Sequence, residues 1–428
     1  KFKINEPGAT ALVSKNGQII YRKAFGIANL ELNVPMKPEM VFEIGSMTKQ
    51  FTAVSILMLE EQGKLSLNDE LSKYIKDFPT KGNKITVHHL LNHTSVIFDP
   101  PMPDWISFMI MKDFKPIDFI DLLKKQPLRF SAGDKWEYSN AGYFILGYII
   151  ESVSGMSYEE FLNQNIFRPI EMNDTYCRIN VSGNPIIKNK VCGYEGNSSF
   201  TNAKFLDMTQ PYSSGAIMST VDDLNKWNNA LINEKLVRKE TLAKAFFNYK
   251  LNNGENTNYG YGFLQNEIQG SPTIEHGGGI PGYASNAIYF PDEKVYVAIL
   301  SNCRNNDPAY VSIQIGAIAI GKPVAEKKAL VLSTDEIKKY EGKYLNLKDS
   351  TSYLVFSDKG VLSVQRTEGG RRTALIPYEK NKFFVRDSYN EYLFLPKQKS
   401  ITEMIIKNRR RMQIENASKI KLIEQNNH

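Results

Sequence analysis

Two short sequences carry side chains that can perform nucleophilic chemistry. Ser46 and Lys49 form a Ser-x-x-Lys sequence, and residues three apart on a helix share one face. A serine hydroxyl needs a base to become a strong nucleophile, and a lysine amine with a lowered pKa can be that base. Tyr138 and Asn140 add a phenol that can relay a proton and an amide that can bind a carbonyl group. Together these residues suggest covalent catalysis by Ser46.

Neither short sequence is specific by itself, because each occurs a second time. Ser418 and Lys421 repeat the first pattern, and Tyr344 and Asn346 repeat the second. The Ser46 copy differs in its context, since an amphipathic helix is predicted to begin there and to stop at Gly63. Its apolar residues recur at helical spacing: Met47, Phe51, Val54, Leu57 and Met58. Ser46 is therefore expected near a helix N-terminus, whose partial positive charge favours a developing oxyanion.

A third element follows at a predicted strand edge, where Glu275 and His276 precede three glycines. Glycines at such an edge let a substrate backbone lie against the strand and expose backbone N–H groups. Taken in chain order, Ser46, Tyr138 and His276 thus head three separate elements of one predicted site.

This ordered set resembles the serine β-lactamase and penicillin-binding protein superfamily, in particular its class C β-lactamase-like branch of D,D-carboxypeptidases, D-aminopeptidases and esterases. The resemblance extends over about residues 8 to 320 and includes further similar segments: Ile85–Val87, His89–Ser95, Met218–Leu224 and Pro281–Tyr283. It implies a β-lactamase-like fold and no metal or organic cofactor.

The resemblance also implies roles for individual residues. Ser46 would be acylated, and Lys49 and Tyr138 would share the general-base and general-acid roles, in an order that stays open. The backbone N–H groups of Ser46 and Gly279 would form the oxyanion hole. Substrate contacts would come from a further set: Asn140, His276, Gly277 and Gly278.

One departure from the superfamily pattern bears on the substrate. His276-Gly277-Gly278 stands where Lys-Thr-Gly is usual, and a histidine is only partly charged near neutral pH. It would hold a substrate carboxylate less firmly than lysine, which favours amides, esters or D-amino-acid peptides over β-lactams. The predicted function is a serine hydrolase that forms an acyl-enzyme on such substrates. The alternative is a penicillin-binding sensor or scaffold that does not turn over.

The surrounding elements indicate an α/β (α+β) fold. Thr10–Ser14 and Gln18–Phe25 predict an opening hairpin, and later strands are predicted at Thr273–His276, Ala284–Phe290 and Val295–Ser301. Helical patterns lie between these two sets. One antiparallel sheet is thus expected from both ends of a domain over residues 1–325, flanked by helices and carrying an inserted helical region.

Composition changes after Gly321, and short alternating segments predict a small antiparallel sheet, lipocalin-like or barrel, over residues 326–428. From Lys322 onward the chain has 22 Lys and Arg against 13 Asp and Glu, including Arg409–Arg411. The expected partners are a small-molecule or peptide substrate and no nucleic acid, with the basic region available for peripheral contact with the cell envelope. The resemblance alone suggests a periplasmic or secreted bacterial protein.

Each of three remaining features has more than one interpretation. His88, His89 and His93 are close enough to suggest a metal, but their helical context favours structural roles. The run Tyr259–Phe263 predicts a strand entering the sheet, with a ring lining the cleft as the alternative. Cys177 and Cys192 are as consistent with a disulfide as with free thiols.

Overall fold

The computed structural model describes residues 2–97, 99, 115–128, 130–177, 179, 186–346, 350–370, 372–386, 388–397, 400–407 and 418–424. The chain divides into two compact units, Lys1–Pro323 and Val324–His428. Within the described ranges, no helix has the length and apolar character needed to cross a membrane.

The strands of the first unit begin with a hairpin. They are β1 (Ala9–Lys15), β2 (Gln18–Phe25), β3 (Ile27–Asn29), β4 (Val34–Pro35), β5 (Phe42–Glu43), β6 (Tyr176–Cys177), β7 (Tyr194–Gly196), β8 (Phe200–Asn202), β9 (Ile217–Ser219), β10 (Leu264–Ile268), β11 (Ser271–Ile280), β12 (Tyr283–Phe290) and β13 (Val295–Ser301). Asn16 and Gly17 turn the chain between β1 and β2 with φ angles of 51° and 78°. Positive φ at both central residues suits the twist of a two-residue hairpin, so the hairpin prediction is confirmed.

The main sheet of this unit has the strand order β10-β11-β12-β13-β1-β2, and all its neighbours are antiparallel. The N-terminal hairpin joins the C-terminal strands because β1 pairs with β13, from Ala9 opposite Ser301 to Lys15 opposite Val295. The prediction of one sheet built from both ends of the domain is therefore confirmed. A smaller sheet has the order β5-β9-β6, and its strand β5 directly precedes the Ser46 turn in the chain.

All but the last helix of the first unit lie between the N-terminal hairpin and β10 in the chain, and the last helix follows β13. They are α1 (Thr48–Glu61), α2 (Val87–Leu91), α3 (Pro116–Leu123), α4 (Asn140–Ser154), α5 (Tyr158–Leu162), α6 (Tyr212–Gly215), α7 (Val221–Ile232), α8 (Lys239–Ala245) and α9 (Ala309–Ala319). Shorter turns of 3₁₀ or π type are Gly45–Met47, Leu71–Lys73 and Asn163–Phe167. α1 is buried from Thr48 to Leu57, and Phe51 stacks on Trp227 of α7 with ring centroids 4.0 Å apart. This central helix is held rigidly, which suits an element that carries catalytic groups.

The second unit is an antiparallel β structure, as the alternating segments predict. Its elements are α10 (Thr334–Lys338), β14 (Gly342–Asn346), β15 (Ser352–Asp358), β16 (Val361–Arg366), β17 (Thr373–Ala374), β18 (Ile376–Glu379), β19 (Lys382–Phe384), β20 (Glu391–Lys397), β21 (Ser400–Lys407) and β22 (Ser418–Glu424). The strand order is β17-β16-β15-β14-β22-β21-β20-β19-β18. Its core includes Tyr344, Phe383 and Phe394. The basic run Arg409–Arg411 lies outside the described residues.

Candidate active site

Ser46 lies on a tight turn that brings it to the surface of an otherwise buried segment. The chain leaves β5, passes through Gly45 with a φ of 53°, and forms the 3₁₀ turn that leads into α1. From Met40 to Leu57, Ser46 is the one residue that is not buried. A methyl group on Gly45 would lie 2.9 Å from the backbone nitrogen of Gly279. Glycine is needed at position 45 both for its φ and for this close approach.

Lys49 is buried beneath Ser46 at the start of α1. Its Nζ donates hydrogen bonds of 2.8 Å to the side-chain oxygen of Asn140 and to the carbonyl oxygen of Ser214, and lies 3.3 Å from Ser46 Oγ. Burial lowers the pKa of Lys49 to about 7, against an opposing attraction from Asp99. A neutral amine has two N–H groups, and the two shorter bonds go to atoms that only accept. Its lone pair is then directed towards the Ser46 hydroxyl, the geometry of a general base.

Asn140 links Lys49 to Asp99. Ser139 caps α4 by accepting a hydrogen bond from Gly142, and Asn140 begins the helix. The Asn140 amide nitrogen donates to Asp99 at 2.7 Å, while the other carboxylate oxygen of Asp99 accepts from the backbone N–H of Ala141 at 2.8 Å. The amide is thus held in the orientation in which its oxygen accepts from Lys49. The predicted contact of Asn140 with an acyl group remains a prediction.

Tyr138 lies on the other side of the Lys49 amine. Lys49 Nζ is 4.8 Å from the centre of the Tyr138 ring. The Tyr138 hydroxyl is buried and makes no hydrogen bond within the described part of the chain. Burial raises the pKa of Tyr138, and the nearby Ser46 side chain acts in the opposite direction. Tyr138 is therefore a neutral phenol whose O–H is available to pass a proton.

His93 positions Tyr138, a role that its place in the sequence did not reveal. Its Nδ1 accepts a hydrogen bond of 3.1 Å from the backbone N–H of Ser139, and its ring lies 4.4 Å from the ring of Tyr138. His93 is buried, with its pKa lowered well below the usual value chiefly by burial and then by the charges of Lys49 and His276. Its imidazole is neutral and the proton is on Nε2. His93 therefore has a structural role, which was expected, and only its contact with Tyr138 was not predicted.

The glycine run of β11 forms a strand edge against the Ser46 turn. β10 pairs with β11 only as far as Glu275, opposite Leu264, so from His276 to Ile280 this edge faces the site. A methyl group on Gly278 would lie 2.0 Å from the carbonyl oxygen of Ile44. Only glycine permits that approach, which brings the predicted oxyanion donors of Ser46 and Gly279 next to each other in space.

The geometry does not fit the predicted role of His276 as a substrate contact. Its side chain is fully buried. Nδ1 donates to the carbonyl oxygen of Gly277 at 2.6 Å, and Nε2 accepts from the Tyr259 hydroxyl at 3.1 Å. Burial, followed by the charge of Lys49, lowers the pKa of His276 to about 3. A neutral imidazole with both nitrogens engaged cannot hold a carboxylate, so His276 supports the site from behind instead.

The predicted strand over Tyr259–Phe263 is wrong, because β10 begins only at Leu264. Gly262 has a φ of 78°, and a methyl group there would lie 2.7 Å from the carbonyl oxygen of Lys49. The segment is a loop that packs on the start of α1. The glycines of this segment indicate close packing. The alternation of aromatic residues with glycines, however, is also typical of a strand, which is why a strand was predicted.

For the cysteines and the histidines, the structure agrees with one of the alternatives that the sequence left open. Cys177, Cys192 and Cys303 are free thiols. His88 shares a hydrogen bond of 2.7 Å with the Tyr261 hydroxyl. Among the residues that the structure describes, no three His, Cys, Asp or Glu side chains are grouped to hold a metal ion.

The structure thus brings together a serine at a helix start, a buried lysine amine, a neutral phenol and a glycine-rich strand edge. The Beta-lactamase family model matches residues 3–319, and the chain belongs to that family. This family supports a function of the serine hydrolase type.

Individual proteins are similar to this chain over more than the residues matched by the family model. The chain is 32% identical to penicillin-binding protein 4* of Bacillus subtilis (strain 168) over 406 residues, covering 88% of this chain and 87% of that protein. The octameric penicillin-binding protein homologue of Pyrococcus abyssi is 28% identical, with a TM-score of 0.68 and 97% and 96% of the two chains covered. The penicillin-binding protein of Bacillus halodurans is 26% identical, with a TM-score of 0.62 over 73% of this chain and 95% of its own.

Proposed function

We propose that this chain is a serine hydrolase that acts through an acyl-enzyme on Ser46 and cleaves peptide, amide or ester bonds. The observation that carries the proposal is the Lys49 amine, which is buried, has two acceptors for its N–H groups and lies 3.3 Å from Ser46 Oγ. A lysine that only stabilised the fold would gain little from being buried without a carboxylate in contact with it.

The first step is attack of Ser46 Oγ on the substrate carbonyl carbon as Lys49 takes the hydroxyl proton. The carbonyl oxygen becomes an oxyanion, which the N–H groups of Ser46 and Gly279 stabilise; one such donor is worth about 3 kcal/mol. The proton passes through Tyr138 to the leaving group, whose bond to the carbonyl carbon breaks. A water molecule then attacks the acyl-enzyme, and the same groups return the proton to Ser46.

The substrate stays open among D-amino-acid peptides, amides and esters, with weak β-lactam binding or hydrolysis as a further expectation. The buried, neutral His276 does not itself supply the cation that a free carboxylate would need. The Arg304 guanidinium does lie at this strand edge, because a methyl group on Gly279 would be 2.5 Å from its central carbon. A periplasmic or secreted location, and contact of the basic C-terminal region with the cell envelope, are part of the same proposal.

A second candidate is a penicillin-binding protein that is acylated without turnover. The relatives from B. subtilis and B. halodurans favour it, since both are named penicillin-binding proteins. Stable acylation and hydrolysis use the same first step and differ in the second. A burst of product followed by arrest would identify this candidate, whereas steady turnover would exclude it.

The test is a substrate panel assayed on three proteins. Nitrocefin, a p-nitrophenyl ester, a D-Ala-D-Ala peptide and a D-amino-acid amide would be given to the wild type, Ser46→Ala and Ser55→Ala. Ser55 is a matched control because it lies on the same helix and bonds only to the Phe51 carbonyl oxygen. We expect turnover of at least one substrate by the wild type and Ser55→Ala and none by Ser46→Ala. Activity of Ser46→Ala near the wild-type rate would refute the proposal.

A further inference from the structure

One of the two acceptors of the Lys49 amine belongs to α6, a turn of four buried residues. The first acceptor is the Asn140 side chain on α4, and the second is the Ser214 carbonyl oxygen on α6. The direction of the amine lone pair towards Ser46 depends on where both acceptors lie. Asp99 fixes the Asn140 amide, and the Ser214 carbonyl oxygen needs an equivalent support.

The backbone of α6 begins in a strained conformation. Tyr212 has a φ of 41°, in the left-handed region that residues with large side chains rarely adopt. Its buried ring packs against the rings of Phe144 and Tyr158, at centroid distances of 4.7 Å and 5.3 Å. A strained residue keeps its conformation only where surrounding contacts hold it. The carbonyl groups that follow Tyr212 are therefore oriented by contacts from outside α6.

Thr52 provides one of these contacts from α1. Its hydroxyl lies 2.6 Å from the Ser213 carbonyl oxygen and 2.6 Å from the Tyr158 hydroxyl. Because a carbonyl oxygen only accepts, Thr52 donates to Ser213 and Tyr158 donates to Thr52. Lys49 and Thr52 are three residues apart and share a face of α1. This face thus binds two successive carbonyl groups of α6, one through each side chain.

Ser213 provides the contact on the other side of the turn, to α4. Its hydroxyl donates to the Tyr143 carbonyl oxygen at 2.9 Å, with the Phe144 carbonyl oxygen 3.3 Å away. α4 comes close to Ser213 at Gly147, where a methyl group would lie 2.5 Å from Ser213 Cβ. Tyr143 follows Asn140 by about one helical turn. The helix that carries one acceptor of the base amine therefore also holds the turn that carries the other.

We propose that Ser213 and Thr52 are positioning residues for the base, because together they hold the second acceptor of the Lys49 amine in place. Both act through the α6 turn rather than on the substrate. They fix the separation of the two acceptors, and with it the direction of the amine lone pair. This inference rests on the proposed function for the base role of Lys49, and on the hydrogen bonds of α6 for the support.

The first experiment measures the rate of Ser46 acylation at pH 9. Since the pKa of Lys49 is about 7, the amine is neutral there, and rate differences report its direction rather than its protonation. Ser213→Ala removes the bond to α4 and should lower the acylation rate about tenfold, because small displacements of a catalytic group are costly.

Ser55→Ala is the matched control for Ser213→Ala. It also removes a buried hydroxyl that donates to a carbonyl oxygen, that of Phe51 at 2.8 Å. It should lower the melting temperature by a similar amount and leave the acylation rate within about twofold of the wild type. Equal acylation rates in the two variants would overturn the proposal.

A pair of substitutions at Thr52 separates the hydroxyl from the packing. Thr52→Val keeps the shape of the side chain and removes the hydroxyl, whereas Thr52→Ser keeps the hydroxyl and loses a methyl group. We expect Thr52→Val to lower the acylation rate about tenfold and Thr52→Ser to stay within about threefold of the wild type. Equal losses would assign the effect to packing and overturn the proposal. If Thr52→Val does not fold, the comparison of Ser213→Ala with Ser55→Ala decides alone.

A second experiment does not depend on catalysis. The pKa of Lys49 would be measured by NMR titration of isotope-labelled lysine in the Ser46→Ala protein, alone and combined with Ser213→Ala or Ser55→Ala. The Ser214 carbonyl oxygen accepts a stronger hydrogen bond from the charged amine than from the neutral amine. Releasing this oxygen by Ser213→Ala should therefore lower the pKa of Lys49, and Ser55→Ala should not change it.

The two experiments separate this proposal from the proposed function. If no substrate acylates Ser46 but Ser213→Ala lowers the pKa of Lys49, the proposed function is refuted and the positioning of the amine is supported. If Ser46 is acylated but the pKa of Lys49 is unchanged or raised by Ser213→Ala, the positioning proposal is overturned and the proposed function is supported.

Discussion

Each of the two units contains one Ser-x-x-Lys and one Tyr-x-Asn sequence, and the two units fold them differently. In the first unit Ser46 and Lys49 span the entry to α1, and Tyr138 leads into α4. In the second unit Ser418–Lys421 lies in β22, and Tyr344–Asn346 lies in β14. Positions three apart share a face on a helix but fall on opposite faces of a strand.

The difference shows that the structural surroundings of these residues, rather than the sequence motif itself, make them a site. The Tyr344 hydroxyl donates to the carbonyl oxygen of Tyr340 within a hydrophobic core, so its hydrogen has a fixed partner. The Tyr138 hydroxyl has none within the described residues and lies beside Lys49 and Ser46. A phenol whose hydrogen has no fixed acceptor suits proton transfer, whereas a phenol that already donates a hydrogen bond contributes to stability.

The largest expected effect comes from the two lysines. Lys49→Ala removes the base and should lower the rate of Ser46 acylation about 10³-fold, while Lys421→Ala should leave it unchanged. Stopped-flow acylation with a chromogenic ester would measure both. A Lys49→Ala rate within tenfold of the wild type would show that another group takes the proton.

The two tyrosines should separate activity from stability. Tyr138→Phe removes the proton relay and should reduce kcat about 10²-fold with little change in melting temperature. Tyr344→Phe should leave kcat unchanged and cost about 1 kcal/mol of unfolding free energy, because a buried carbonyl oxygen loses its donor. Steady-state kinetics and urea unfolding on both proteins give the comparison. Equal losses of activity would contradict the separate roles.

The pH dependence of acylation should report the protonation of Lys49. With a pKa lowered to about 7, the amine is neutral above that pH and protonated below it, so the rate should rise with pH through an apparent pKa near 7. Asp99 attracts the charged amine, and Asp99→Asn should therefore lower the apparent pKa at which the acylation rate rises. Asp121→Asn, which alters an exposed carboxylate paired with Lys124, is the control and should not move it. An unchanged apparent pKa in Asp99→Asn would remove the support for Lys49 as the titrating group.

The smallest expected effect concerns His276. His276→Asn breaks the hydrogen bond to Tyr259 and should reduce kcat/KM by about fivefold, the value of one such bond. The loss should be the same for a peptide with a free terminal carboxylate and for its amide. A loss confined to the carboxylate substrate would restore the earlier expectation that His276 binds substrate directly.

Elements with a clear local pattern could be predicted from the sequence. Alternation around Asn16 and Gly17 indicated the hairpin, helical spacing indicated α1, and the glycines after His276 indicated a close approach of backbones. Each depends on neighbours in the chain. The positions of Ser46, Lys49 and Tyr138 next to one another followed from the family resemblance, which carries information that local patterns lack.

Properties that depend on distant parts of the chain could not be predicted. Asp99 and Ser214 hold Asn140 and Lys49 in place, yet no spacing connects them with either. The place of His276 was predicted but not its burial, because its partner Tyr259 belongs to a loop that resembles a strand in sequence. Whether a polar group is buried depends on packing contributed by several elements, which explains why its role was misjudged.

The most direct test of the account is to locate the covalent bond. The wild-type protein would be treated with a fluorophosphonate probe at pH 8, digested and mapped by mass spectrometry, with Ser418→Ala treated in parallel. We predict a single adduct on the peptide that contains Ser46, formed equally in both proteins and lost in Ser46→Ala. An adduct on any other residue, or undiminished labelling of Ser46→Ala, would contradict the central claim that Ser46 is the nucleophile.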